Sequence, residues 1–159
     1  MRLDEITNIW IESGVIPATE GFLRERGKLG YEGRVYWVGE LHKTTPKITR
    51  VIIPEQIAKK TLYGVSVTVP QHANVNVARE LKPGEYIIAK VHSHPREAYN
   101  SDTDKANPFL RHPGAISIIV PNFGYSGMKQ LQNCVVCMFR NGDWTDLSRD
   151  QIQKFFTFI

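Results

Sequence analysis

Two histidines that follow a predicted buried strand constrain this chain more than any other feature. The apolar run 86–91 predicts a strand, which continues through His92 and His94 until Pro95 ends it. Side chains alternate across a strand, so residues two apart lie on the same face and both imidazoles are predicted to point to one side of a sheet. The sequence therefore raises the hypothesis of a metal site at the end of this strand.

A site of this kind needs a third ligand, and the segment after Pro95 offers two carboxylates. Asp104 lies ten residues after His94, and Asp102 is a nearby rival. Three protein ligands with one position left for water are typical of catalytic zinc, whereas structural zinc is usually enclosed by four. Ser101 also has a structural interpretation, because a serine followed three residues later by an acid is typical of a capping box at a helix start.

The combination is more specific than its parts, and it resembles the JAMM motif of the JAB/MPN-domain zinc metalloproteases, in their bacterial, deubiquitinase-like branch. The residues that carry the resemblance are Glu32, Gly39, His92, Ser93, His94, Pro95, Ser101 and Asp104. The resemblance covers about residues 30–140 of the chain. It departs from the family at one point, because only five residues separate Pro95 from Ser101, one fewer than the family usually has.

The resemblance implies a role for each of these side chains. His92, His94 and Asp104 are expected to hold Zn²⁺, with a water in the fourth position. Glu32 is expected to be the general base that activates the zinc-bound water and later returns the proton to the leaving amine. Ser101 is expected to donate a hydrogen bond to the developing oxyanion, so it can act as a helix cap and in catalysis.

Two alternatives for the base stay open at this point. Glu32 is also compatible with a solvent-facing acid at the start of a strand, which has no catalytic role. Glu40, directly after Gly39, is a rival base one residue past the spacing of the family motif.

The resemblance also implies a function. Its best-known members are isopeptidases, so we expect a zinc-dependent isopeptidase or protease that cleaves after the C-terminal tail of a ubiquitin-like protein. Ubiquitin-like activating and conjugating enzymes of the same pathway are the expected further partners. Two alternatives stay open: a non-catalytic scaffold or binding module, and a metallohydrolase of small peptides or cysteine adducts on the same fold.

The element pattern predicts one α+β domain over residues 1–159. Strands are predicted at 32–39, 47–54, 65–69, 86–94, 115–121 and 131–140, and helices at 3–12, 17–26, 74–82, 102–107 and 146–159. This order is typical of a mixed sheet of about five to seven strands flanked by helices. The resemblance implies the α/β-type, cytidine-deaminase-like version of that architecture.

Charge and hydropathy argue against other classes of protein. The net charge is +4, but the basic residues are scattered among acids and form no stripe with aromatics, so no nucleic-acid surface is predicted. No apolar stretch is long enough for a membrane span, and residues 1–5 lack the apolar core of a signal peptide. We therefore expect a cytoplasmic protein without a membrane partner.

Two cysteines at CxxC spacing invite a second metal or redox hypothesis. Cys134 and Cys137 lack a second ligand pair and lie in a predicted strand, where positions three apart face opposite sides. They are predicted to be reduced core residues. The remaining histidines, His42, His72 and His112, are predicted to be surface or loop residues.

Overall fold

Ten strands and four helices are formed by residues 5–159, the part of the chain that the computed structural model describes. The strands are β1 (Ile9–Ile11), β2 (Arg34–His42), β3 (Thr45–Ile52), β4 (Ile57–Thr61), β5 (Gly64–Thr68), β6 (Tyr86–Ser93), β7 (Ile116–Val120), β8 (Val135–Arg140), β9 (Asp143–Asp146) and β10 (Phe156–Phe158). The helices are α1 (Val15–Lys28), α2 (Gln71–Glu80), α3 (Asp102–Ala106) and α4 (Arg149–Phe155).

Eight of these strands form one mixed sheet in the order β10-β1-β3-β2-β6-β7-β8-β9. Strand β6 runs parallel to β7 and antiparallel to β2, so the strand that ends at the histidines lies in the middle of the sheet. The other two strands, β4 and β5, form a separate hairpin. The α+β class is confirmed, although the sheet has more strands than the five to seven predicted.

Each face of the sheet has its own apolar core. On one face, Trp37 of β2 is fully buried and donates its Nε1–H to Thr19 Oγ1 of α1 at 2.8 Å. Ile152 of α4 belongs to the same cluster. On the opposite face, Tyr36 packs in a cluster with Val77 of α2. The central strands are therefore buried on both sides, which explains their nearly continuous apolar sequences.

The register between β2 and β6 determines which face the site uses. Arg34 pairs with His92, and Tyr36 pairs with Lys90. Directly paired residues have side chains on the same face of a sheet. His92 therefore lies on the face that carries Tyr36 and is covered by α2, and the fold brings Arg34 beside it.

The predicted helix at 3–12 is wrong where the structure describes it, and residues 1–4 lie outside the described part of the chain. Residues 9–11 form β1, in which the buried Ile9 and Ile11 alternate with the half-exposed Trp10. This strand pairs with β10 on one side and with β3 on the other. The predicted last helix is also too long, since α4 ends at Phe155 and the next three residues form β10. These short strands extend the sheet beyond the predicted count.

Smaller differences concern the ends of elements and two polar strands. Strand β2 begins at Arg34, so Glu32 precedes the strand instead of lying inside it. Strands β4 and β9 were not predicted, because most of their side chains are exposed and carry no apolar alternation. None of the helices formed by residues 5–159 is long and apolar enough to cross a membrane.

The cysteine prediction is confirmed. Cys134 and Cys137 are both free and buried, and they belong to different core clusters on opposite faces of the sheet. Burial raises the pKa of Cys134 to about 12, so its thiol stays protonated. The CxxC pair therefore cannot bind one metal ion between its two sulfurs in this arrangement.

Gly39 has a packing reason for being glycine. It follows a register shift between β2 and β3, and a Cβ added there would overlap the carbonyl oxygen of Lys47. The backbones of two paired strands approach too closely at this point for any side chain. The glycine that completes the sequence motif with Glu32 is thus a structural element of the sheet.

Replacing Gly39 with alanine is expected to destabilise the fold by about 3 kcal/mol or more, because backbone must move to admit the methyl group. Gly21→Ala is the control, since Gly21 lies within α1 and an added Cβ meets nothing within 4 Å. The control should gain about 0.5–1 kcal/mol from helix propensity. Urea unfolding measures both, and equal midpoints for the two variants would contradict the packing argument.

Candidate metal centre

Three side chains predicted as metal ligands converge in the structure. His92 Nε2 lies 3.2 Å from His94 Nε2 and 3.1 Å from Asp104 Oδ1. His94 Nε2 lies 3.4 Å from Asp104 Oδ2. His92 is the next-to-last residue of β6, His94 directly follows that strand, and Asp104 comes from the first turn of α3. Within residues 5–159, these three form the one His/Cys/Asp/Glu group close enough to hold a metal ion.

The spacing of these atoms fits a tetrahedral metal ion. A zinc ion with bonds of about 2.0–2.1 Å holds neighbouring ligand atoms about 3.3 Å apart. The two imidazole nitrogens lie 3.2 Å apart, close to that value, and each of them has a different Asp104 oxygen at a similar distance, 3.1 Å for Oδ1 and 3.4 Å for Oδ2. Two imidazole nitrogens and a carboxylate are also a donor set that suits zinc and related transition metals. The residues present therefore fit a three-ligand metal site.

Contacts behind the ligands orient one of the two rings. His94 Nδ1 lies 3.2 Å from the Glu97 carbonyl oxygen, which favours a proton on Nδ1 and leaves Nε2 as the ligand atom. The ring of Tyr99 packs edge-on against His94, with centroids 4.8 Å apart. His92 Nδ1 is buried and has no hydrogen-bond partner among the described residues.

A capping box places the carboxylate ligand. The Asp104 N–H donates to Ser101 Oγ at 3.1 Å, and the Ser101 N–H donates to Asp104 Oδ2 at 3.0 Å. The cap thus holds the carboxylate that faces the histidines, even though the loop before Ser101 is one residue shorter than the family pattern. Asp102, the rival ligand, is exposed and lies outside the cluster.

Glu32 is brought to the same site by the strand that carries the histidines. The next residue, Gly33, donates its N–H to Ser93 Oγ at 3.0 Å and accepts from the Ser93 N–H at 3.0 Å. The Glu32 side chain is only 8% exposed, although it does not lie within a regular strand. Glu40, the rival base, is exposed near the other end of β2.

An open groove leads to these residues. Its walls are formed by residues of β5, α2 and the segment 94–109, which includes His94, Ser101 and Asp104, and Glu32 also lines it. The β4–β5 hairpin forms one rim, with Leu62 and Tyr63 almost fully exposed at its tip. The groove is large enough to admit an extended peptide, and two of the candidate metal ligands, His94 and Asp104, line it.

Two of the three candidate ligands, His92 and Asp104, have the charge that metal binding requires. Burial lowers the pKa of His92 to about 4, so this imidazole is neutral at physiological pH and its Nε2 lone pair is available. Burial alone would raise the pKa of Asp104, but hydrogen bonds with His92 and His94 outweigh it and hold that pKa well below its usual range. The pKa of His94 is raised, because contacts with Asp104 and Glu32 outweigh the effect of burial.

Glu32 has the electrostatics of a general base. Burial raises the pKa of its carboxyl to about 7, an effect that Asp104 reinforces and that His94 and Arg34 oppose. A base whose pKa lies near neutral pH both accepts and releases a proton efficiently. The same burial that gives Glu32 this property makes its ionised form costly in the protein without metal.

That cost gives a stability prediction for Glu32→Gln in chelator-treated protein. The pKa of Glu32 rises from 4.5 to about 7 on folding, so its stability contribution is present below pH 4.5 and is lost as pH rises through 7. At pH 8 the glutamine variant is expected to be more stable than the unsubstituted protein by about 2–3 kcal/mol, and at pH 4.5 nearly equal. Urea unfolding at the two pH values measures this, and the same difference at both would contradict it.

Sequence reasoning missed two buried cations beside the metal ligands. Arg34 is 5% exposed and Lys90 is 2% exposed. Lys90 Nζ donates to the Phe109 carbonyl oxygen at 3.1 Å and lies over the Trp144 ring. Lys90 lies two residues before His92 on a predicted strand, so its place on the same face could have been predicted from the sequence. The position of Arg34 beside His92 depends on the β2–β6 register, which the sequence does not reveal.

Comparison with known proteins finds a metalloprotease among the similar sequences. A protein of Sinorhizobium fredii named probable metalloprotease is 33% identical over 123 residues, which cover 76% of this chain and 75% of that protein. No family model matches the sequence. A solution structure of a Desulfitobacterium hafniense protein shares the fold, with a TM-score of 0.65 at 16% identity over 95% of this chain and 92% of that one.

A further solved structure, a JAB1/MPN domain protein from Archaeoglobus fulgidus, has a TM-score of 0.48 at 15% identity over 89% of this chain and 97% of that one. That likeness is too weak to bear on the fold by itself. The identity and coverage of the curated relative are sufficient, together with the fold and the metal-binding cluster, to define the class of protein. The chain belongs to the JAB/MPN metalloprotease family.

Proposed function

We propose that this metalloprotease is a zinc-dependent isopeptidase or protease that cleaves after the C-terminal tail of a ubiquitin-like protein. The observation that carries the proposal is the position of Glu32 and of His94 and Asp104, two members of the metal cluster, in one open groove that is also lined by β5, a strand paired on one side alone within residues 5–159. A folded domain with an extended tail suits such a site better than a compact small molecule does.

Each residue of the site has its own role in the proposed reaction. His92, His94 and Asp104 hold the zinc ion, which when bound polarises the scissile carbonyl and supplies a nucleophile at neutral pH. Glu32 takes a proton from the attacking water and returns it to the leaving amine, as its raised pKa allows.

Ser101 completes the reaction site. In the capping box, Ser101 Oγ accepts a hydrogen bond from the Asp104 N–H, and this contact uses only a lone pair. The hydroxyl proton therefore remains free to donate to the oxygen on which negative charge develops. Capping and oxyanion stabilisation are compatible in one side chain.

Strand β5 offers a way to bind the tail. Within residues 5–159 it pairs only with β4, so its other edge has backbone N–H and C=O groups without strand partners, and its residues line the groove. An extended peptide can add to such an edge through main-chain hydrogen bonds. A tail bound along β5 would lie in the same groove as Glu32, His94 and Asp104.

The test is cleavage of a fusion in which a ubiquitin-like protein is followed by a short C-terminal extension, analysed by intact mass. A panel of several ubiquitin-like proteins and the matching tail peptides should be used. We expect cleavage directly after the tail of at least one folded fusion, at a higher kcat/KM than for its tail peptide. Hydrolysis confined to short peptides or cysteine adducts would favour the small-substrate alternative, and no cleavage of any substrate would favour a scaffold.

The hairpin tip gives a prediction about the folded part of the substrate. Leu62 and Tyr63 are 100% and 99% exposed, and apolar side chains at a groove rim are typical of a binding surface. Replacing both with aspartate is expected to raise KM for the folded fusion by about tenfold, with kcat and cleavage of the tail peptide unchanged. Leu29→Asp is the control, because Leu29 is 65% exposed and lies outside the groove. An equal loss in the control, or on the tail peptide, would contradict this role.

A further inference from the structure

Arg34 is the one buried cation beside the metal cluster whose side chain has no partner in the described part of the chain. It is 5% exposed and lines the groove with Glu32, His94 and Asp104. Its Nε has no hydrogen-bond acceptor, and no ion pair or side-chain hydrogen bond is formed by its guanidinium within residues 5–159. Lys90, the other buried cation, is already held by Phe109 and Trp144.

An unpaired guanidinium in this position is costly unless something compensates for its burial. A buried charge is normally paired, because its transfer from water is unfavourable without hydrogen bonds. The backbone of Arg34 is nevertheless held in place by two hydrogen bonds to one side chain, that of Gln56. Its N–H donates to Gln56 Oε1 at 2.8 Å, and its carbonyl accepts from Gln56 Nε2 at 2.9 Å. The Gln56 side chain thus fixes the backbone of a residue whose side chain lines the groove.

The balance of charge at this end of the groove favours an anionic ligand. Glu32 and Asp104 bring two negative charges, which a divalent metal ion would neutralise. Arg34 and Lys90 then leave the buried site positively charged. A planar guanidinium matches a carboxylate with two parallel hydrogen bonds, which are stronger than those between neutral groups.

We propose that Arg34 binds a carboxylate of the substrate at the metal end of the groove and so determines which substrates are accepted. This inference rests on the proposed function, since it names a chemical feature of the segment that the same site binds. The carboxylate could be the terminal carboxylate of a short leaving segment or the side chain of an acidic residue near the scissile bond. Arg34 is here a specificity residue with no part in the proton transfers.

The test measures binding, without cleavage, to Glu32→Gln protein, using three N-acetylated tripeptides. They are Gly-Gly-Gly with a free C-terminus, Gly-Gly-Gly amide, and Gly-Asp-Gly amide, titrated by NMR or calorimetry up to millimolar concentrations. We expect one of the two carboxylate peptides to bind about tenfold or more tightly than the Gly-Gly-Gly amide. The peptide that shows the gain identifies the source of the carboxylate.

Variants then assign the gain to Arg34. Arg34→Gln is expected to remove the preference for the carboxylate peptide. Arg96→Gln is the control, because Arg96 also lines the groove but is exposed, and its removal should preserve the preference. Arg34→Lys, which keeps the charge without the planar fork, should retain part of it and serves if Arg34→Gln does not fold.

Three results would overturn the proposal: no carboxylate-dependent binding in this concentration range, a preference that survives in Arg34→Gln, or a preference lost in Arg96→Gln alone. None of them depends on a ubiquitin-like fold or on cleavage. Failure of this inference is therefore distinguishable from failure of the fusion cleavage that tests the proposed function.

Discussion

Replacing Glu32 with glutamine is expected to lower the rate of hydrolysis about a thousandfold, with the metal still bound. The carboxylate is buried at the site and has a pKa of about 7, so it is suited to accept and return the proton of the attacking water. Glutamine keeps the size and most contacts of the side chain but cannot accept that proton. The measurement is kcat on a cleavable ubiquitin-like fusion, paired with the metal content of each protein.

Glu40→Gln is the matched control for this prediction. Glu40 lies on β2, the strand that begins two residues after Glu32, but it is exposed and does not line the groove. Its replacement should leave kcat and metal content unchanged. If Glu32→Gln cleaved as fast as the unsubstituted protein, or if Glu40→Gln lost the same activity, the assignment of the base would be wrong.

Replacing Asp104 is expected to weaken metal binding at least about a hundredfold and to abolish hydrolysis with it, because a direct ligand contributes no less than the groups behind it. Asp104 contacts both His92 and His94, and it supplies the charged atom of the ligand set. Asp104→Ala and Asp104→Asn should both lose the metal during dialysis. Elemental analysis before and after dialysis measures the loss.

The two variants and one control separate metal loss from damage to α3. Asp104 also accepts the Ser101 N–H in the capping box, which asparagine can still do through its amide oxygen. Asp102→Ala removes an exposed acid from the same helical turn and should keep both metal and activity. A full complement of metal in Asp104→Asn, or its loss from Asp102→Ala, would contradict the ligand assignment.

The convergence of the metal ligands was predictable because it depends mainly on local geometry. Residues two apart along an extended chain have side chains on the same face, so His92 and His94 share a face whatever the rest of the sheet does. The capping box likewise fixes Asp104 against Ser101 within one helical turn. What sequence alone left open was whether that turn would face the histidines, and the distances show that it does.

Glu32 shows the limit of such reasoning. Its spacing to Gly39 indicated a motif, but its approach to the site depends on two hydrogen bonds between Gly33 and Ser93, sixty residues apart in the chain, one to the Ser93 hydroxyl and one between backbone groups. The predicted position inside a strand was wrong by two residues, because a strand begins where pairing begins. Its burial could not be derived from sequence, since an acid near a strand start is usually exposed.

The missed elements also depend on partners distant in the chain. Strands β1 and β10 are three residues each and depend on pairing, because β10 pairs with β1 at the edge of the sheet and β1 also pairs with β3. The segment 3–12 carries apolar residues at helical spacing, so local periodicity favoured the wrong structure. Arg34 was missed for a related reason, because only the β2–β6 register places it beside His92.

The most direct test of the metal assignment is X-ray diffraction from crystals of the protein, with data collected above and below the zinc absorption edge. We expect one strong anomalous peak per chain, bonded to Nε2 of His92, Nε2 of His94 and a carboxylate oxygen of Asp104, with the Glu32 carboxylate beside it. A zinc peak elsewhere, for instance at Cys134 or Cys137, or no peak at the three ligands in zinc-soaked crystals, would contradict the account.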